Sequence, residues 1–325
     1  MEQPLISVVI PAYNAERFLK RSVASVAAQS WSNIETVIVD DGSTDDTLAL
    51  ARRLAVNDSR VKVVTQPNAG AAEARHRGVV ESTGEYIMFL DADDEMAPEA
   101  AEQMWRRMSD NDLDFCVAVR YVQFGNNNGL TPSFFRCPGI VDGERFLERL
   151  MQPWGNVAIG CSIARREVWQ DDAFPPGDLV MPMEDHLLAI GASQHINRVG
   201  IFNDIKQGNY YVNTQSLTAT GRFHTTERWR QHFDYLRRLL DRRGLLQRYE
   251  HAVRVLEIDR LAFLAEPLDP SDPWFRQVAA YPTAGMPLKH KILRRMLRYP
   301  TASRRALRLY QHAKAALLRH SRAPR

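Results

Sequence analysis

The chain has 325 residues, 45% apolar and 25% charged, with a formal net charge of +3, the proportions of an ordinary globular protein with room for one large domain and an appendage. No apolar run approaches the roughly 20 residues of a membrane-spanning helix, and Met1-Glu2-Gln3-Pro4 leads directly into a strand-like run, so neither a transmembrane anchor nor a signal peptide is expected. Cys116, Cys137 and Cys161 are odd in number and widely spaced, which suggests neither a disulfide framework nor a zinc site and fits a reducing cytosol.

Leu5 to Ile10 predicts a buried strand stopped by Pro11, and Phe18, Leu19, Val23 and Val26 keep a helical spacing within 16–29. Glu35 to Val39 predicts a second strand; the Asp40-Asp41-Gly42-Ser43-Thr44-Asp45 turn follows, with Ser43 or Thr44 as the cap of a helix carrying Leu48, Ala51 and Leu54. Val61 to Val64 is a third strand, Asn68-Ala69-Gly70 turns into a helix from about Ala71 to Glu81, and Tyr86 to Leu90 is a fourth strand. Strand and helix in alternation indicate parallel βαβ units of a doubly wound α/β sheet. No G-x-G-x-x-G follows the first strand and no Walker A loop is present, which argues against a dinucleotide fold or a glycine-cradled phosphate.

The fourth strand runs into Asp91-Ala92-Asp93-Asp94. Crowded carboxylates repel one another unless a cation or hydrogen-bonding partner is supplied, and Mg²⁺ or Mn²⁺ takes one or two carboxylates plus substrate phosphates. Asp91 and Asp93 are therefore the candidate metal ligands, with Arg75 or Arg77 to neutralise phosphate. Read alone, the same stretch also describes a solvated acidic turn with Asp94 capping the next helix. Three strand ends carry polar or small loops, Pro11-Ala12-Tyr13-Asn14, Asp40-Asp41-Gly42-Ser43 and Asp91 to Asp94, and in a parallel sheet these lie on one edge. There Tyr13 could stack on a base and Asp41 accept from a base N–H.

The stretches "SVVIPAYNAERFLKRSVASVAAQSW", "VIVDDGSTDDT", "NAGAAEARHRGV" and "GEYIMFLDADD" together resemble the nucleotide-sugar-binding half of family 2 glycosyltransferases, densely over about residues 4–100. That resemblance implies a GT-A fold: a Rossmann-like, mostly parallel doubly wound sheet. It places Pro11, Ala12 and Tyr13 at the base pocket, Asp41 facing the base and Arg75 near the nucleotide. Asp91, with Ala92 beside it, faces ribose or a metal-bound water, and Asp93 is a direct ligand of Mg²⁺ or Mn²⁺. His76 stands where the family commonly has asparagine.

Further along, Pro98 to Asp110 and Asp142 to Met151 predict helices, Phe115 to Phe124 a strand, and Gly125 to Gly129 a turn. Gly160 to Trp169, containing Arg165-Arg166-Glu167, and the later Glu184-Asp185 resemble the family's second half, where the acid matching Asp185 is the general base and Glu184 is counted with the substrate-binding residues. A helix N-terminus favouring acids is the bland alternative for this pair. Tyr210 and Tyr211 suit either a lid or packing, Asn213 replaces the family's arginine, and His224 is a candidate aid to metal or diphosphate. Arg228-Trp229 resembles the Q-x-x-R-W element of processive synthases, but Thr225 occupies the glutamine position, which favours transfer of one or few sugars.

The rest is expected to be helical: 227–243, then 245–265 after a break at Gly244, a linker at 267–273, and a basic tail in which Leu288, Ile292, Met296 and Leu297 share a face, repeated by Leu307, Tyr310, Ala313 and Leu317. No acid follows Asp272, while Arg276 to Arg325 hold 13 Lys and Arg, so residues 1–275 carry about −10. Such a tail suits an anionic membrane surface, docking on the acidic domain, or RNA, although no aromatic platform for a specific nucleic acid accompanies it.

The expected organisation is a GT-A catalytic domain over 1–222 (1–100 for the nucleotide sugar, 101–222 for the acceptor), a helical extension over 223–285 and a basic amphipathic tail over 286–325. The expected activity is metal-dependent, inverting transfer from a nucleotide-sugar donor, a UDP-sugar, to a hydroxyl of a glycan or lipid-linked acceptor at the cytoplasmic face of a membrane. The alternatives are a sugar nucleotidyltransferase, which would need a glycine-rich basic N-terminal loop, and a membrane-bound scaffold with a relic domain.

Overall fold

The computed structural model describes residues 3–123, 130–132, 135–155, 157–177, 182–211, 225–261, 269 and 271–297. The alternating half is β1 (Ile6–Ala12), α1 (Leu19–Ala27), β2 (Ile34–Asp40), α2 (Thr47–Asn57), β3 (Val61–Thr65), α3 (Ala71–Glu81) and β4 (Tyr86–Phe89). β1, β2 and β4 are almost wholly buried because helices cover both faces of the sheet, while β3 at its edge exposes Lys62 and Thr65. Val8 and Ile10 join Leu19, Val23 and Val26 in one core, while Val9 points to the other face under α3. There a Cβ on Gly78 would stand 2.2 Å from Val9 Cγ1, so only glycine lets α3 lie this close.

The second half continues with β5 (Glu95–Met96), α4 (Ala100–Asn111), β6 (Phe115–Gln123), β7 (Leu130–Pro132), β8 (Gly139–Asp142), α5 (Gly143–Leu150), β9 (Ser162–Arg165), α6 (Glu184–Ala192) and β10 (Arg198–Tyr211). The sheet order is β3-β2-β1-β4-β9-β6-β10-β5, with β7 beside β6 and β8 beside β10. Pairing is parallel across β3-β2-β1-β4 and between β6 and β10; β9 runs antiparallel between β4 and β6. Ala12 pairs with Asp40 and Asp40 with Thr65, so the carboxyl ends of these strands share one edge.

The chain divides into two compact units, Met1–Leu150 with Trp154–Ala219, and Met151–Pro153 with Thr220–Arg325. The second unit is helical: α7 (Thr226–Arg242), α8 (Leu246–Leu261), α9 (Pro273–Ala280) and α10 (Leu288–Leu297). Gly244, at φ +66°, makes the break between α7 and α8. At the centre of this unit the fully buried Glu257 accepts from Arg237 (2.8 and 2.7 Å), Trp274 Nε1 (2.9 Å) and Tyr281 Oη (2.7 Å). Trp229 stacks on Phe233 in the same core, so packing accounts for the Arg228-Trp229 resemblance, and Thr225 is the N-cap of α7, accepting from Arg228 N–H.

Several local expectations are corrected. Ser43 and Thr44 do not cap α2: Asp45 takes the Thr47 N–H, while Ser43 and Thr44 bond Asn14 across the rim. Asp94 does not cap the following helix, because the β5 strand intervenes and α4 starts at Ala100. Pro273, expected in a linker, is the first residue of α9 with Asp272 as its cap. In α10 the buried stripe is His290, Leu293 and Leu297, preceded by Met286, while Leu288 and Ile292 are 73% and 51% exposed. α8, with Asp259 holding Lys289 (2.6 Å) and standing 3.3 Å from His290, selects that face over the apolar one. The described part of the expected tail thus belongs to the helical unit. The turn at 125–129, Asn213, His224 and the Leu307 to Leu317 pattern lie outside the described residues.

Candidate active site

The rim of the sheet is knitted by its own loops. Asp41 N–H donates to Ala12 O, Leu90 N–H to Val9 O, and Asn14 Oδ1 accepts from Thr44 N–H (2.9 Å). Pro11, Ala12 and Tyr13 therefore sit beside Asp41, with Ala12 buried and Tyr13 half exposed over the edge. Asp41, only 3% exposed, accepts from Gln66 Nε2 and Ala69 N–H (both 2.8 Å) and from Gly70 N–H (2.9 Å). Gly70 has φ +91°, a conformation that favours glycine, and in it the loop wraps the carboxylate. Asp41 thus first orders the turn that starts α3; base recognition would fall to its remaining lone pairs.

Arg75, on the first turns of α3 and 4% exposed, is the hub. Its Nη2 lies 2.9 Å from Asp91 Oδ1, its Nη1 bonds Glu184, and the same nitrogen lies 3.5 Å from Asp185 Oδ1. One guanidinium thereby joins the strand-end acids to the first turn of α6, 109 residues away in sequence. Burial opposes its charge, but Asp185, Glu184 and Asp91 outweigh that and hold it cationic. Asp185 also accepts from Ile159 N–H at 3.2 Å. Burial pushes the carboxyls of Glu184 and Asp185 upward, with Arg75 pulling both back. Gly160 stands next to the acids: a Cβ there would meet Asp91 Oδ2 at 3.7 Å.

Arg77, the other expected phosphate partner, is half exposed and pairs with Glu81 (2.8 Å) on the helix surface, which removes it from the rim. His76 bonds Asp171 at 3.0 Å and its ring lies 4.7 Å from that of Phe174. Its unusual identity is explained by this contact with the 171–174 segment.

Three further side chains complete the cleft. Arg120, from the middle of β6, lies 3.9 Å from Asp94 and 4.2 Å from the Tyr210 ring. Arg21, from α1, bonds the Asp93 carbonyl (2.7 Å), pairs with Glu95 (2.9 Å) and stacks 4.1 Å from Tyr211. Asp94 is buried and accepts from Tyr211 N–H; burial, then Asp91 and Asp93, push it up to about 8. The end of β10 thus closes over the acidic loop through two arginine–tyrosine stacks. A lone arginine inside the apolar run FCVAVRYVQF was the sequence signal for Arg120, since a buried cation demands acids.

Five carboxyl groups, Asp91, Asp93, Asp94, Glu184 and Asp185, crowd around Arg75 and the partly buried Arg120, so the acids outnumber these two cations even with Asp94 held mostly protonated. Asp93 shows the strain: burial and then Asp91 raise it. No set of three or more His, Cys, Asp or Glu converges as a protein-only cage among the described residues. Two oxygen donors in an over-negative pocket are the habit of Mg²⁺ or Mn²⁺ shared with phosphate, so the Asp91 and Asp93 pair fits such an ion.

Comparison with known proteins bears on the family and the fold. The family described as glycosyl transferase family 2 matches residues 7–172. An uncharacterised glycosyltransferase of Escherichia coli, YibD, is 40% identical over 109 residues, 34% of this chain and 32% of that protein. One from Haemophilus influenzae is 41% identical over 114 residues, 35% and 46% of the two chains. The match spans about a third to a half of these relatives. Among solved structures, S. aureus TarS in complex with UDP-GlcNAc superposes with a TM-score of 0.65 at 20% identity, covering 92% of this chain and 88% of that one. The mannosyltransferase PcManGT of Pyrobaculum calidifontis, in complex with GDP-Man and Mn²⁺, gives 0.59 at 18% identity over 97% and 83%. At these identities the likeness shows the GT-A-type fold.

Proposed function

Because the chain belongs to glycosyl transferase family 2, we propose that it moves a sugar from a nucleotide-sugar donor, a UDP-sugar, to a hydroxyl of a glycan or lipid-linked acceptor with inversion at the anomeric carbon. The observation that carries this reading is the Arg75 bridge, which brings Asp91 at the donor rim and Asp185 at the head of α6 into one cleft. Tyr13 and Asp41 flank the base, and the UDP-GlcNAc bound to the similarly folded TarS supports uracil as that base.

An acceptor hydroxyl is a weak nucleophile. Asp185 takes its proton as the oxygen attacks the anomeric carbon; the bond to the donor diphosphate breaks, and the nucleoside diphosphate leaves from the opposite face. The Ile159 N–H and the Arg75 guanidinium aim the Asp185 carboxylate, and burial strengthens it as a base. A divalent cation held by Asp93 and Asp91 would supply Lewis-acid stabilisation of the charge gathering on the diphosphate. Tyr210 and Tyr211, clamped by Arg120 and Arg21, shield the cleft from water.

A peripheral contact with an anionic membrane, at the cytoplasmic side, belongs to the same reading. Exposed Leu288 and Ile292 stand with exposed Lys289, Lys291 and Arg295 on α10, and the sequence beyond Leu297 adds eight Lys and Arg and no acid. Among the described residues no helix is long and apolar enough to cross a membrane.

Asp185→Asn tests the chemistry. Donor affinity should persist while turnover falls by about 10²–10⁴; near-normal turnover would remove Asp185 as the base.

A further inference from the structure

A second cavity, of about 280 Å³, lies at the end of α5 and is not used by the donor chemistry. It is lined by Phe146, which is fully buried, by Phe135 and Val157, and by Arg136, Arg149 and the 39% exposed Trp154. Its walls are held from behind. Phe135 exchanges two hydrogen bonds with the Asn203 side chain, both 2.9 Å, and Arg149 Nη1 donates to Cys137 O at 2.8 Å.

Two segments that line this cavity lead directly to the candidate base. Leu150, in the lining, offers its carbonyl to His186 Nε2 at 2.8 Å, next in sequence to Asp185. Val157, also in the lining, precedes by two residues the Ile159 N–H that donates to Asp185. A molecule seated here therefore lies beside the segment that aims the proton acceptor.

The lining also states a chemistry. An exposed indole beside apolar side chains offers a surface for the C–H face of a sugar ring. No carboxylate lines the cavity among the described residues, while two arginines do. Guanidinium forks match carboxylate and phosphate groups, and the bond to Cys137 O leaves Arg149 most of its five donors.

We propose that this cavity is the acceptor subsite and that it takes a sugar bearing an anionic substituent, a carboxylate or a phosphate. The proposal rests on the transferase reading above. It assigns the acceptor a charge, where the motifs assign only a hydroxyl.

The test uses the full chain and ligand-observed NMR titrations with methyl glucuronide, a hexose phosphate and neutral methyl glucoside as probes. A separate thermal-shift experiment with UDP and Mn²⁺ reads donor binding. The charged probes should bind about tenfold or more tightly than the glucoside, as expected for a charge-assisted hydrogen bond, and whichever of the two is tighter identifies the anion. Arg149→Met should erase that preference and Trp154→Ala should weaken all three probes. Arg136→Met, at an exposed position of the lining, should reduce the preference while leaving the buried part of the wall intact. Equal binding of charged and neutral probes, or a preference unchanged in Arg149→Met and Arg136→Met, overturns the subsite. A donor shift without any probe binding overturns it too and leaves the transferase reading standing. Probe binding without a donor shift removes the acceptor role and the transferase reading together.

Discussion

Replacing Arg75 by methionine tests the hub of the cleft directly. The side chain is 4% exposed and its guanidinium meets Asp91 at 2.9 Å, Glu184, and Asp185 at 3.5 Å. Methionine keeps much of the volume but leaves three carboxyl groups without their shared cation. Breaking a buried pair by removing one partner costs about 3–5 kcal/mol, and here the orphaned acids belong to two segments far apart in sequence. With a denaturant slope of about 3 kcal/mol/M, the urea midpoint of the α/β unit should fall by about 1–2 M. Arg75→Lys should recover only part of this loss, because a single ammonium cannot present a fork to Asp91 and Glu184 at once. The assay is urea unfolding at neutral pH followed by fluorescence, run beside donor thermal shift. A midpoint within about 0.3 M of wild type would show that the acids do not depend on Arg75, and the bridge would then be incidental to the site.

Asp93→Ala should abolish Mn²⁺-dependent binding of a nucleotide sugar, and an unchanged calorimetric titration would contradict the metal role. In the helical unit, burial raises Asp259, but His290, Lys289 and Arg260 hold it down to about 2, against an ordinary 3.8. A depressed carboxyl stabilises above its unfolded value and loses that contribution as pH falls through its folded one. The gain, discounted for a half-exposed Lys289, is about 1–2 kcal/mol, with about half gone by pH 3. Wild type should thus lose stability between pH 5 and pH 3 more steeply than Asp259→Asn, and parallel profiles would refute the ion cluster. Deleting residues 298–325, leaving α10 in its place, should release the protein from anionic vesicles in low salt while the melting transition stays put. Full retention on the vesicles would reject the tail as an anchor.

The sheet was readable because its central strands are buried on both faces, and continuous apolar runs such as Val8 to Ile10 and Tyr86 to Leu90 mark that condition in one dimension. Alternation with helices dictated parallel pairing, and parallel pairing dictated a common rim for Tyr13, Asp41 and Asp91. That much follows from local pattern and handedness alone. The four motifs also carried the family, which the match over residues 7–172 bears out.

What the sequence could not decide is who pairs with whom across distance. That Arg75 would bind Asp91 and Glu184 while Arg77 turns to Glu81 depends on the twist of one helix turn over the sheet. Asp94 looked like a cap and became a buried acid because β10 returns to cover it, and Arg120 mattered only once β6 lay beside that loop. In α10 two apolar stripes compete, and the acid of α8 beneath Lys289 and His290 breaks the tie in favour of Leu293 and Leu297. Periodicity reports which residues can be buried. The charge and shape of the partner surface decide which of them are.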